Sequence, residues 1–106
     1  MEGEACVYIM ASKSGTLYMG STVDLEGRVL QYKTGEIPGF TKKYGCNRLV
    51  YYEMYGTTDE ARLRERQIKG YGRRKKEALI RSLNPTWFDL ARFWYNGDRI
   101  ENVRKP

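Results

Sequence analysis

Glu65 is the one acid between Arg62 and Lys76, a stretch with eight basic side chains and a net charge of +7. The whole chain of 106 residues carries +6, so this segment holds more than the entire excess. The chain has no histidine. That excludes Ser-His-Asp and Cys-His nucleophile systems, Cys/His zinc fingers and histidine-assisted ribonuclease chemistry. Any chemistry must run on Glu, Asp, Tyr, Lys, Arg or Cys. A metal in such a chain is a hard one, such as Mg²⁺, held by carboxylate and water.

A polyanion is the natural partner of the basic segment, because neutralising phosphates releases condensed counterions and gives strong, salt-sensitive binding. Lys69, Arg73, Arg74, Lys75 and Lys76 are the expected phosphate contacts, and Lys42 and Lys43, with Arg48, form a second, smaller cluster. A solvated helix face usually intersperses Glu with Lys, and this segment does not. It also has few large apolar residues to insert into a membrane surface.

The elements that must position these groups follow from pattern. Residues Ala5 to Met10 form an apolar run fit for a buried strand, Ser12 to Gly15 is turn chemistry, and Thr16 to Gly20 resumes strand composition. The pair reads as a hairpin. A register symmetric about Lys13 makes Tyr8 and Tyr18 cross-strand neighbours on one face. Asp24 is an adequate N-cap for a helix running to about Thr34-Gly35, with Leu25, Val29 and Tyr32 inward and Arg28 bordering that side. Gly35 to Asn47 reads as a loop and Arg48 to Met54 as a third strand. Thr57 to Glu60 supplies a capping box for the helix that carries Glu65. Gly70 and Gly72 separate it from a further helix, Arg73 to Ser82. Asn84-Pro85 breaks the chain, and Trp87 to Tyr95 is expected as a last short helix. Its aromatic cluster (Trp87, Phe88, Phe93, Trp94, Tyr95) is read as a lid on the core, since such residues supply large burial in a small domain.

The resulting class is α/β (α+β): a small three-stranded antiparallel sheet flanked by helices, in the order ββαβαα. Residues 1–95 are expected as one domain and 96–106 as a polar tail. The two cysteines cannot make a disulfide framework, and the acidic N-terminus lacks the features of a signal peptide. Both favour a cytoplasmic location, with no run long enough for a bilayer.

Val7-Tyr8-Ile9, then Leu17-Tyr18-Met19-Gly20, a helix-borne Arg28, a helix-borne Glu65 and a late Asn84-Pro85 occur in a characteristic order. This set, with YMGSTVDLEGRV, GFTKKY, RLVYYE and ARLRERQIKGYGRRKK, resembles the GIY-YIG nuclease superfamily, in particular its free-standing single-domain members. The resemblance spans about Ala5 to Leu90.

The resemblance implies the GIY-YIG endonuclease fold and hydrolysis of DNA phosphodiester bonds with Mg²⁺ or Mn²⁺. It makes Glu65 the metal ligand, Arg28 the brace on the scissile phosphate, and Tyr8 and Tyr18 the residues that position or deprotonate water. Asn84 becomes a supporting residue. A free phenol has a pKa of about 10, so a tyrosine base needs a nearby cation. Tyr8 or Tyr18 could fill that role. Two departures matter. Val-Tyr-Ile stands for Gly-Ile-Tyr, with Cys6 at the glycine position when the tyrosines are aligned. Tyr32 stands where many free-standing members carry histidine, as it does in the excision-repair branch. That change removes one candidate base and is expected to lower activity or move its pH optimum upward. Lys33 beside it is a candidate phosphate contact. The expected substrate is DNA, branched or single-stranded forms included, cut with little sequence preference in repair or processing. The competing reading is a nucleic-acid-binding module with this fold and little turnover.

Overall fold

The computed structural model describes residues 4–95, so the polar tail expected at 96–106 lies outside the described residues. Strand β1 (Ala5–Ala11) lies at the centre of a three-stranded antiparallel sheet, between β2 (Leu17–Thr22) and β3 (Arg48–Tyr55). All seven residues of β1 are buried, because helices or turns cover both of its faces. Alternation divides them. Val7, Ile9 and Ala11 pack with Met19, Val50, Ala61, Ile68 and Ile80. Cys6, Tyr8 and Met10 pack with Val29, Tyr32, Cys46, Leu49 and Tyr95 on the other side.

Helix α1 (Leu25–Lys33) covers the Tyr8 face. Its N-cap Asp24 accepts a hydrogen bond from the Gly27 N–H at 3.0 Å, and Val29 and Tyr32 point into the core as their spacing predicts. The segment expected as a plain loop contains a five-residue helix, α2 (Phe40–Tyr44), closed by Gly45 in the left-handed conformation at φ 65°. The predicted order ββαβαα holds with that one addition.

Helices α3 (Thr58–Lys69) and α4 (Arg73–Leu83) cover the opposite face. The Thr57 hydroxyl accepts from the Glu60 N–H at 3.2 Å and starts α3. Arg64 fixes that helix to β3 with a two-pronged contact to Glu53, Nε to Oε1 at 2.8 Å and Nη2 to Oε2 at 3.0 Å. Tyr51 and Tyr55 donate to the same carboxylate. Burial works against the Glu53 charge, but Arg64 and the two phenols hold its pKa at about 2.

The helix expected over Trp87 to Tyr95 is absent; the chain runs there as successive turns. Side chains take the backbone groups a helix would need. Asn84 Oδ1 accepts from the Phe88 N–H at 3.0 Å, and Asp89 Oδ1 accepts from Leu49 and Ala91 at 3.1 and 3.0 Å. The lid is only half as expected. Trp87, Trp94 and Tyr95 pack on the core, whereas Phe88 and Phe93 are exposed, with Arg92 lying over both rings.

Candidate active site

The candidate residues meet around β2, which has β1 as its one sheet neighbour. On the α1 side the ring of Tyr8 crosses β2 at Gly20, its partner in the register. A Cβ at Gly20 would lie 2.7 Å from the Tyr8 hydroxyl, so only glycine leaves that phenol its place. The Tyr8 and Tyr32 hydroxyls are 2.7 Å apart, with the rings edge to face at 5.8 Å. Tyr18 completes the group, its ring 6.1 Å from that of Tyr32.

The register corrects one expectation. Tyr18 is paired with Met10 and not with Tyr8, so the hairpin is centred on Ser14 rather than Lys13. Thr16 belongs to the turn, where its carbonyl accepts from the Ser12 N–H at 2.9 Å. Tyr8 and Tyr18 still share a face, but diagonally. Their exposure differs sharply: Tyr8 is 1% exposed and Tyr18 37%. Tyr18 is therefore the more solvent-accessible phenol of the two.

Arg28 lies one turn before Tyr32 on α1, beside the Tyr8 and Tyr32 oxygens. Burial lowers its pKa, and those two oxygens more than reverse the effect. The tyrosines move upward. Burial raises Tyr8, with Tyr32 and Arg28 only partly offsetting it; burial and Tyr8 together push Tyr32 higher. Neither buried phenol is a base at neutral pH by itself.

Glu65 approaches from the other side of β2. The Ser21 hydroxyl donates to its Oε1 at 2.7 Å, and Lys69 Nζ lies 2.7 Å from Oε2. Burial raises the Glu65 pKa, yet Lys69, Ser21 and Arg62 outweigh it, so the carboxylate is held ionised. It sits in a cleft of about 290 Å³ with Ser21, Arg62, Arg66 and Lys69. Lys69 connects the two halves, since Glu65, Tyr18 and Tyr8 all act on its ammonium. Lys69 and Lys76 also share a groove with Leu17, Tyr18 and Met19.

The donors fit a hard cation. Glu65 and Ser21 offer oxygen only, and among the described residues no group of three His, Cys, Asp or Glu side chains could form an all-protein cage. One ionised carboxylate plus retained water is the way Mg²⁺ is commonly held, whereas a zinc site needs more nitrogen or sulfur ligands.

Other expected residues fall elsewhere. Lys33 is tied down: its ammonium pairs with Asp89 and donates to the Asn47 carbonyl at 3.0 Å, which joins α1 to the chain around β3. It is not an open phosphate contact. Asn84 is buried, with Nδ2 donating to the carbonyls of Val50 and Phe88 at 3.1 and 2.8 Å; these hydrogen bonds brace the end of α4 and go to none of the site residues. Arg73 is engaged by Glu77 at 2.6 Å, and Lys75 lies 4.1 Å from the centre of the Tyr71 ring. Arg74, Lys42 and Lys43 are exposed. The basic segment is thus not one face, because Arg64 turns away to Glu53. A larger cleft, about 540 Å³ and lined by Tyr55, Leu63 and Arg64 among others, lies on that side of α3 and holds none of the candidate catalytic residues. Arg62 and Arg66 were missed as site residues. Their signal was helical spacing: Arg62 stands three residues before Glu65, on the same face as Lys69 four after it.

Comparison with known proteins places the chain in a family. A family model described as the GIY-YIG catalytic domain matches residues 4–78. That span includes Tyr8, Tyr18, Arg28, Tyr32 and Glu65 but not Asn84. A UPF0213 protein of Staphylococcus saprophyticus is 40% identical over 74 residues, 70% of this chain and 90% of the relative. A UPF0213 protein of Staphylococcus aureus is 43% identical over 75 residues, 71% and 92% of the two chains. The solution NMR structure of a UPF0213 protein of Bacillus halodurans superposes with a TM-score of 0.54 at 29% identity, covering 85% of this chain and 96% of that one.

Proposed function

This chain belongs to the GIY-YIG family of nuclease domains, and from that premise we propose that it is a metal-dependent DNA endonuclease, selective for structure more than for sequence, that serves DNA repair or processing. The observation that carries this reading is the convergence, around β2, of an arginine, three tyrosines and an ionised glutamate.

Glu65, with Ser21 beside it, would hold the divalent cation. When bound, that cation supplies charge relief at the phosphate and a lowered pKa for water. Arg28 is always cationic and offers a planar donor fork to the scissile phosphate. Tyr18, the exposed phenol, receives the attacking water by hydrogen bond. Tyr8 and Tyr32 stand behind it as a fixed pair and hold Arg28 in place. Lys69 and Lys76 take backbone phosphates beside Tyr18. These are contacts to phosphate, which position a nucleic acid without reading its bases.

A second reading, a DNA-binding module with little turnover, is favoured by the upward-shifted Tyr8 and Tyr32 and by the lack of a histidine. Incubation with supercoiled plasmid, branched and single-stranded DNA in Mg²⁺, Mn²⁺ or EDTA separates the two. Cleavage with either metal and none in EDTA supports the nuclease, with branched substrates cut fastest. Tight binding without cleavage in any metal supports the module.

A further inference from the structure

Arg62 and Arg28 come from helices on opposite faces of the sheet and line one cleft of about 210 Å³, with Ser21, Thr22 and Thr58 between them. Arg62 is exposed at the rim and also borders the adjoining Glu65 cleft. Among the described residues the only acid bordering either cleft is Glu65, which Lys69, Ser21 and Arg62 all act on. Two arginines bordering one small cleft leave excess positive charge beside it, which an anion with several oxygens relieves best.

We propose that Arg62 is a second arginine on the substrate, gripping the backbone phosphate next to the one that Arg28 braces. The scissile linkage is then held from both sides of β2: Arg28 and the tyrosines on one, Arg62 and Glu65 on the other. A nucleic-acid strand must cross the edge of the sheet to satisfy both arginines, and this crossing sets the strand's path over Glu65. The inference rests on the nuclease reading of the site and adds to it a residue with a positioning role.

The test titrates a short oligothymidylate into the protein in EDTA. Binding is followed by the NMR signals of the arginine Nε–Hε groups and by affinity across a range of salt. The Arg28 and Arg62 signals move together. Arg62→Gln weakens binding about tenfold and takes about one unit from the slope of log affinity against log salt. Because the two arginines act on one segment, the Arg28→Gln, Arg62→Gln double variant loses less than the two single losses combined. A stationary Arg62 signal, affinity within about twofold of wild type for Arg62→Gln, or strictly additive losses overturn the assignment and leave the nuclease reading standing. If neither oligothymidylate nor duplex DNA binds at low salt, both fail.

Discussion

The hydroxyls of Tyr8, on the central strand, and Tyr32, on the helix above it, lie 2.7 Å apart, and the Arg28 guanidinium stands beside both. Burial favours the neutral form of both phenols: it raises Tyr8 by more than Tyr32 and Arg28 lower it, and it raises Tyr32 together with Tyr8.

This pair sets the pH dependence of cleavage. With Tyr8 and Tyr32 shifted upward from the ordinary phenol value and no histidine in the chain, neither member of this pair titrates near neutrality. The rate should climb from pH 6 to pH 9 without levelling off. Tyr32→His introduces a group of pKa about 6.5, and the profile should then flatten at neutral pH. Steady-state cleavage across that range checks it; superimposable profiles would remove Tyr32 from the site.

Gly20→Ala should damage the site from the opposite strand. Its Cβ would fall 2.7 Å from the Tyr8 hydroxyl and 3.0 Å from the ring carbon bearing it, and the ring is enclosed by core. Overpacking of this kind costs about 1–3 kcal/mol. Denaturant melts should show that loss, and cleavage should fall further than the stability change explains because Tyr8 carries Arg28 with it.

The Glu53–Arg64 contact should govern stability in acid. Its carboxyl pKa is about 2 in the folded protein, below the value of about 4.3 for a free glutamate. A lowered folded pKa means the stabilisation is complete above the unfolded value and is lost as pH falls through about 4 towards 2. Glu53→Gln should cost about 2–4 kcal/mol at pH 7 by leaving the half-buried Arg64 without its carboxylate, and much less at pH 2. Thermal melts at both pH values measure the difference.

Two lysines should separate binding from folding. Lys76→Gln removes a cation beside Tyr18 and should lower the salt slope of DNA binding by about one, with the melting temperature unchanged. Lys33→Met breaks the tie to Asp89 and Asn47 and should lower the melting temperature by several degrees, with the salt slope preserved.

Much of this was legible in the chain because period and capping are local. Asp24 and Thr57 cap the helices they were expected to cap, and the alternation of β1 sorts Tyr8 from Val7 and Ile9 onto opposite faces. Failures arose where distant groups decide. Whether Thr16 joins the turn or the strand shifts the register by two residues, and composition does not resolve it. The turns after Asn84 depend on Asn84 and Asp89 capturing backbone groups on β3 and on their own segment. Lys33 read as an open cation because its partner is 56 residues away. Charge counting made residues 62–76 a single surface, although a helix turns Arg64 and Glu65 about 100° apart and sends one to Glu53 and the other to Ser21.

The central claim is that Glu65 and Arg28 act together on one phosphodiester, and the direct measurement is plasmid nicking by Glu65→Gln and Arg28→Ala in Mg²⁺, with DNA affinity determined in parallel. Each variant should lose at least about 10²-fold in nicking rate, the scale of removing one electrostatic stabiliser of a transition state. Affinity should stay within about tenfold of wild type. Nicking by both variants at the wild-type rate would contradict the account.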